Sequence, residues 1–193
     1  MKINSMFGAV CALLVSVACS YGANAITWRS VGGQTVYDTD GTTPIAWDQS
    51  YYIMLVQAAN GTTIGFDPIT QTVGVGESLI WYDSFANVSD GDGAFIAALL
   101  PGEQPSGASG IGGIINGSYL YTVVLNASAP GGGDTMYSIL EPTVPTQITV
   151  NPSTGNGTYN APGNNTWQPV PEPSSLALLG LGLGLVAWRR MRK

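Results

Sequence analysis

The feature that most constrains the fold is a regular succession of short runs rich in Val, Ile, Thr and Tyr, each followed by turn residues. Gly32-Gly33 and Asn60-Gly61 supply the positive φ angles that tight hairpin turns require. Strand-forming runs at this spacing are typical of an antiparallel sandwich or barrel. We therefore predict a mainly β chain whose residues 26–150 form a single antiparallel β-sandwich-like domain. The runs expected to be strands are 26–31, 34–37, 51–58, 62–66, 71–75, 78–85, 111–115, 118–126, 135–140 and 147–150.

One segment departs from this β pattern and favours a short helix. Asp92 is a suitable N-cap for residues 93–100, where apolar residues recur at helical spacing and Pro101 ends the run. The pattern predicts at most one or two helical turns.

The N-terminal residues 1–25 have the organisation of a secretory signal peptide. Lys2 gives a positive start, residues 7–18 form a short apolar core, and Ala23 and Ala25 are the small residues of a cleavage pattern. We predict that signal peptidase cuts after Ala25 and that the mature chain begins at Ile26.

Two other interpretations of this end remain open. A buried N-terminal helix is disfavoured by Ser20, Gly22 and Asn24. Lipid attachment at Cys19 is the second, but Ser16 stands where a lipoprotein signal has a large aliphatic residue.

Both cysteines of the chain, Cys11 and Cys19, lie inside this signal. The exported chain would therefore have no thiol, although it enters a compartment in which disulfides can form. Its fold must depend on core packing alone.

The charge of the chain between its two ends is strongly one-sided. All acidic residues except Glu172 fall between residues 26 and 170, and Arg29 is the basic residue of that region. Such a surface repels phosphate backbones, so nucleic acid is excluded as a partner. The acidity either keeps an exported protein soluble or holds cations such as calcium that bridge to an acidic polysaccharide.

Residues 151–169 change to a Pro-, Gly-, Asn- and Thr-rich composition with one Tyr and one Trp. Such a segment has few apolar side chains to bury, so the sequence predicts a flexible stalk. Extended from residue 151 to the Pro-Glu-Pro at residue 173, the chain would reach about 70 Å.

The C-terminal residues 170–193 form a membrane-directed tail in three ordered parts. Val170-Pro171-Glu172-Pro173 comes first, followed by an apolar segment at 176–188 and then a basic stop. As a helix, 176–188 rises about 20 Å, which is short of the roughly 30 Å hydrocarbon core, so we expect a marginal transmembrane helix. A plain permanent anchor would explain the helix and the charges but not the Pro-Glu-Pro. The residues that form the basic stop, and that keep this end cytoplasmic, are Arg189, Arg190, Arg192 and Lys193.

These three parts resemble the PEP-CTERM sorting signal of Gram-negative bacteria that make exopolysaccharide. The resemblance covers residues 170–193 and implies recognition by exosortase, a membrane-embedded transpeptidase-like enzyme that cuts near the Pro-Glu-Pro. Val170, Pro171, Glu172 and Pro173 are then the recognition residues of a substrate. The implied route runs from an inner-membrane-tethered precursor to the cell surface or the extracellular space.

Two short acidic loops suggest cation binding. Asp38 and Asp40, and likewise Asp90 and Asp92, begin patterns similar to the first half of a calcium loop. Neither pattern continues with the spacing of an EF-hand, and Asp-Gly hairpin turns explain both. Calcium binding at these two loops therefore stays a hypothesis beside the hairpin turns, and no other cofactor is expected.

Several aromatic residues could stack against sugars on one face of a sheet. Adjacent aromatic residues in a strand point to opposite faces, so about half of them should belong to the core. The candidates are Trp28, Trp47, Trp81, Tyr51, Tyr52, Tyr82, Tyr119 and Tyr121.

The chain has few of the side chains that usually perform catalysis. The chain has no His, and the region between the signal and the tail has no Cys or Lys, so nucleophilic triads, zinc ligation and Schiff-base chemistry are not available there. We predict a protein that is not an enzyme but a surface or extracellular-matrix protein with a structural or adhesive role, associated with exopolysaccharide. The alternative is a carbohydrate-binding module, possibly calcium-dependent, displayed at the cell surface.

Overall fold

A computed structural model describes residues 24–32, 34–58, 61, 65–68, 70, 72–127, 136–140, 147–151, 153–163 and 165–170. Its strands form two sheets, and its helical content is one turn at α1 (Phe85–Val88) and a 3-10 turn at Ile111–Gly113. The strands are β1 (Ala25–Ser30), β2 (Tyr52–Ala58), β3 (Glu77–Ser84), β4 (Ile96–Leu99), β5 (Tyr119–Leu125), β6 (Met136–Leu140), β7 (Asn156–Ala161) and β8 (Gln168–Pro169).

The smaller sheet has three strands in the order β4-β1-β7. β1 pairs antiparallel with β4 and parallel with β7. The parallel register places Thr27 opposite Thr158 and Arg29 opposite Asn160.

The larger sheet has five antiparallel strands in the order β3-β2-β5-β6-β8. β2 and β5 are central in this sheet, and every residue of β2 is buried. A strand buried on both faces requires a near-continuous apolar run, and Tyr52–Ala58 has one.

The main core lies between the two sheets. Ile26 and Trp28 of β1 share one buried cluster with Ile53 and Leu55 of β2. The rings of Trp28 and Phe95 meet edge to face at 5.4 Å, a favourable arrangement for two aromatic side chains. Burial of indole and aliphatic side chains at this depth is the dominant favourable term for residues 26–170, which include no cysteine.

A second buried cluster lies on the other face of the five-stranded sheet. Apart from strand residues, its described members are Phe66 and Val73, which come from the connection between β2 and β3. This connection folds back on itself at the Asp67–Thr72 bridge, and the ring of Phe66 lies 5.8 Å from that of Tyr137. The connection therefore covers a face that a two-layer protein usually leaves to solvent. The buried strand residues of the cluster are Tyr52, Met54, Val56, Ala58, Tyr121, Val123 and Leu125, and the partly buried ones are Leu79, Tyr82, Tyr119, Tyr137 and Ile139.

The prediction of a mainly β chain is confirmed, with two sheets and almost no helix in the described residues. The parallel β1–β7 pair differs from the expected antiparallel arrangement. Four of the runs expected to be strands (34–37, 71–75, 111–115 and 147–150) form isolated bridges or the 3-10 turn instead, because they lie in connections and pair at single points.

The predicted helix at 93–100 is wrong. Residues Ile96–Leu99 are strand β4, which pairs with β1, and the Asp92 carboxylate accepts a hydrogen bond from the backbone N–H of Trp47 at 3.0 Å instead of capping a helix. Pairing with an exposed edge of β1 outweighed a weak helical pattern.

The structure also differs from the predicted stalk at 151–169. Asn156–Ala161 is strand β7, with Tyr159 and Ala161 in the main core, and Gln168–Pro169 pairs with β6. Trp167 donates its indole N–H to the carbonyl oxygen of Tyr37 at 2.9 Å. A polar strand needs few apolar side chains when its backbone hydrogen bonds are made by a neighbouring strand, which composition alone does not reveal.

Candidate functional site

The sorting residues begin where the chain leaves the five-stranded sheet. Val170 follows β8 directly and is half-buried, whereas Pro171, Glu172, Pro173 and the basic residues 189–193 lie outside the described residues. From Val170 to the apolar segment at 176 there are six residues, which span about 20 Å at most. A membrane-inserted segment at 176–188 would therefore leave at most about 20 Å between domain and membrane, in place of the about 70 Å predicted for an extended stalk.

The predicted signal-cleavage site lies at the start of β1. Ala25 is the first strand residue, and Asn24 is held beside it by a 2.7 Å hydrogen bond from its N–H to the carbonyl of Gly155. The side-chain amide of Asn24 also donates to the carbonyl of Thr154 at 3.0 Å. Ala23 lies outside the described residues.

A polar groove of about 520 Å³ opens at the same end of the three-stranded sheet. One wall is formed by alternate residues of segment 147–151, whose Ile148 and Val150 point to the core instead. The groove volume falls within the roughly 300–1,000 Å³ of small-molecule sites. Its lining consists almost entirely of hydroxyl and amide side chains, namely Thr27, Gln147, Thr149, Asn151, Thr154, Asn156 and Thr158, with Ala25 and Gly157.

Such a lining can donate and accept hydrogen bonds but has no ionisable group. Hydroxyls and amides recognise ligands that are themselves rich in hydroxyls. The alternation of polar and apolar residues in N-G-T-Y-N-A (156–161) was the signal that could have identified Thr158 as an outward-facing residue.

Asp38 and Asp40 lie in a tight turn, where their carboxylates accept hydrogen bonds from neighbouring residues. Asp40 accepts hydrogen bonds from the backbone N–H groups of Thr42 and Thr43, at 2.9 and 2.8 Å, and from the Thr43 hydroxyl at 2.6 Å. These bonds, that of the Thr43 hydroxyl first, lower the pKa of Asp40 from 3.8 to about 2. The Tyr51 hydroxyl donates to Asp38 at 2.6 Å; burial, followed by this bond, raises the pKa of Tyr51 to about 12.

The conformation of the second acidic loop, which contains Asp90 and Asp92, depends on Gly93. Its φ of +68° and the close approach of the Val36 carbonyl leave no room for a side chain. Among the described residues, no three carboxylate, His or Cys side chains come together to hold a metal ion. Calcium binding by Asp38, Asp40, Asp90 or Asp92 stays a prediction.

The aromatic residues do not form one stacking platform. Adjacent pairs point to opposite faces as predicted: Tyr51 and Trp81 belong to the main core, and Tyr52 and Tyr82 to the second cluster. Of the eight candidates, Trp47 is 63% exposed, and it lies outside the groove lining.

A polar contact joins the two sheets inside the main core. The Trp28 indole N–H donates to the Thr122 hydroxyl at 2.9 Å, and both residues are fully buried. The hydroxyl of Tyr159 is buried in the same region without a well-formed hydrogen bond to the described residues, and its burial raises the pKa of the phenol. The Thr122 contact specifies how the sheets align, because an indole N–H without a partner costs free energy in a core.

None of the helices in the described part of the chain is both long enough and apolar enough to cross a membrane. The predicted transmembrane segment at 176–188 lies outside that part.

Comparison with known proteins identifies one end of the molecule. Residues 169–193 match the family described as the PEP-CTERM protein-sorting motif. No curated protein and no solved structure matches the chain. The matched range includes Pro169 of β8, Val170-Pro171-Glu172-Pro173, the apolar segment and the basic stop. It implies an exported protein that is processed at the membrane by exosortase. The C-terminal residues 169–193 of this chain are therefore a PEP-CTERM protein-sorting motif, carried behind a β-rich domain.

Proposed function

We propose that this protein is a structural or adhesive component of the cell surface or extracellular matrix, delivered there by exosortase. The observation that carries the proposal is the sorting motif, which begins at the last strand of a folded domain. The precursor is tethered in the inner membrane by residues 176–188 and is released when its tail is cut. The role is non-catalytic and involves association with exopolysaccharide.

The shortness of the apolar segment at 176–188 supports processing over permanent anchoring. A span about 10 Å shorter than the hydrocarbon core is a poor permanent anchor. The prolines around Glu172 favour an extended backbone, the conformation in which proteases bind their substrates.

A carbohydrate-binding module is the second candidate, and the polar groove is the observation that favours it. The groove offers hydroxyl and amide side chains on an otherwise acidic domain. The loops at Asp38, Asp40, Asp90 and Asp92 would be the place for calcium in a calcium-dependent version of this module.

Substitution of Glu172 tests the proposal. Glu172→Ala removes one carboxylate and leaves the apolar segment and the basic stop unchanged. We expect the wild-type protein at the surface or in the medium without residues 189–193, and the variant uncut in the inner membrane, as measured by mass spectrometry of each fraction.

Glu103→Ala is the matched control, because Glu103 is an exposed glutamate of the domain. It should be processed as efficiently as the wild type. If wild-type and Glu172→Ala proteins both keep an intact C-terminus and fractionate alike, the tail is an ordinary anchor and the proposal fails.

A further inference from the structure

The outer face of the three-stranded sheet differs in charge from the rest of the domain. Side chains that point outward from its strands alternate with the core residues Ile26, Trp28 and Tyr159. One of them is Arg29, the basic residue of the region between signal and tail. None of the outward residues of these fully described strands is acidic: they are Ala25, Thr27, Arg29, Ile96, Ala98, Asn156, Thr158 and Asn160.

The position of Arg29 is fixed by its neighbour on β7. Its Nε donates to the side-chain carbonyl oxygen of Asn160 at 2.8 Å. This bond orients a planar guanidinium, which can bind a carboxylate through two parallel hydrogen bonds. On the neighbouring strand β4, Ile96 is opposite Arg29 and is 43% exposed, so an apolar surface flanks the cation.

The groove continues from this cation along the same face. Thr27 precedes Arg29 by two residues on β1, so both point outward about 7 Å apart. Thr158, opposite Thr27, lines the groove together with Thr149 and Asn156. A row of hydroxyl and amide groups thus leads directly to the cation.

We propose that this face binds a segment of an acidic polysaccharide, with Arg29 pairing with a uronate-type carboxylate and the groove bonding to sugar hydroxyls. The inference rests on the proposed function, because it names the ligand class of the domain that the sorting tail delivers. A hydroxyl-rich polymer with spaced carboxylates fits both parts of the face, whereas a neutral glucan would leave Arg29 unused. The acidic residues that repel a phosphate backbone lie outside the three strands of this face, so a carboxylate can meet Arg29 there.

The groove lining has no aromatic residue, so stacking does not contribute to affinity there. Binding of each segment is therefore weak. A polymer that engages many copies of the protein gains avidity from repeated sites, as a matrix requires.

The test uses the processed protein purified from its exporting host, with polygalacturonate as the acidic probe and dextran as the neutral one. Affinity is measured with EDTA present, so that calcium bridges do not contribute. We expect polygalacturonate to bind in preference to dextran. Arg29→Gln should weaken polygalacturonate binding about tenfold or more, because a hydrogen bond to a charged group is lost. Arg29→Lys, which keeps the charge, should lose less.

A second pair of variants tests the groove independently of Arg29. Thr158→Val removes one hydroxyl without changing the shape of the side chain and should weaken binding about two- to tenfold. Thr166→Val, at an exposed threonine outside the groove lining, should bind like the wild type.

Three results would overturn the proposal: no binding of polygalacturonate in EDTA, equal binding by wild type and Arg29→Gln in EDTA, or, in a parallel measurement without EDTA, binding that appears only with added calcium and is insensitive to both groove and Arg29 substitutions. Each of these leaves exosortase processing of the tail intact, so it is distinguishable from failure of the proposed function.

Discussion

The two sheets of this protein present outer faces of opposite chemistry. On the five-stranded sheet, Met54, Val56 and Val123 point away from the main core yet are at most 1% exposed. On the three-stranded sheet, Arg29, Thr158 and Asn160 point outward and are exposed. The difference shows where the chain uses its apolar residues: β2 and β5 contribute to two clusters, whereas β1 and β7 contribute to one and have a polar outer face.

The largest expected effect comes from placing the same charge on both faces. Val123→Asp puts a carboxylate into the second cluster and should lower the free energy of unfolding by about 4 kcal/mol, because a buried unpaired charge is costly. Thr158→Asp on the polar face should cost less than about 1 kcal/mol. Urea denaturation of the two variants measures both values. Equal losses would mean that the faces do not differ as described.

The next test removes a side chain of the β2–β3 connection that covers the second cluster. Phe66 is 9% exposed and belongs to the connection over the five-stranded sheet. Phe66→Ala should cost about 3 kcal/mol, at the lower end for an aromatic core residue. The aromatic control is Trp47→Ala, which should cost less than about 0.5 kcal/mol because Trp47 is 63% exposed. Thermal or urea unfolding measures the stability of both variants. If Phe66→Ala is as stable as the wild type, the connection does not shield the second cluster from solvent.

The smallest effect concerns the acidic turn at Asp40. The pKa of Asp40 is lowered from 3.8 to about 2 in the folded state by its hydrogen bonds to Thr43 and Thr42. A depressed carboxyl pKa stabilises the fold above pH 3.8, and this contribution is lost as the pH falls from there through about 2.

Asp40→Asn should therefore have a shallower fall in Tm between pH 4 and pH 2 than the wild type. Asp48→Asn, which removes an exposed carboxylate outside this turn, serves as the charge control and should follow the wild-type curve. Parallel curves for wild type and Asp40→Asn would contradict the hydrogen-bonded turn.

Much of the β framework was predictable from local patterns. The runs that became β2, β3, β5 and β6 are rich in β-branched and aromatic residues, and such side chains fit a pleated surface whatever their partners. The sorting motif was predictable because its parts are contiguous in sequence and need no fold to bring them together.

Other elements depended on partners distant in sequence. β4 has a weak helical pattern and becomes a strand because β1 offers it hydrogen bonds. β7 has the alternation of a strand, but its polar composition predicts a stalk, and only its pairing with β1 and the burial of Tyr159 show that it belongs to the fold. The groove has the same origin, since Thr27, Thr149 and Thr158 lie on three separate segments.

The sequence by itself determined the mainly β character, the acidic charge and the C-terminal sorting motif, because each depends on composition or on adjacent residues. Only the tertiary structure decided that residues 156–161 belong to the domain and that the sorting motif begins at its last strand. It also placed Arg29 beside Asn160 and next to a polar groove. The physical reason is that backbone pairing between distant strands satisfies polar residues that composition alone assigns to solvent.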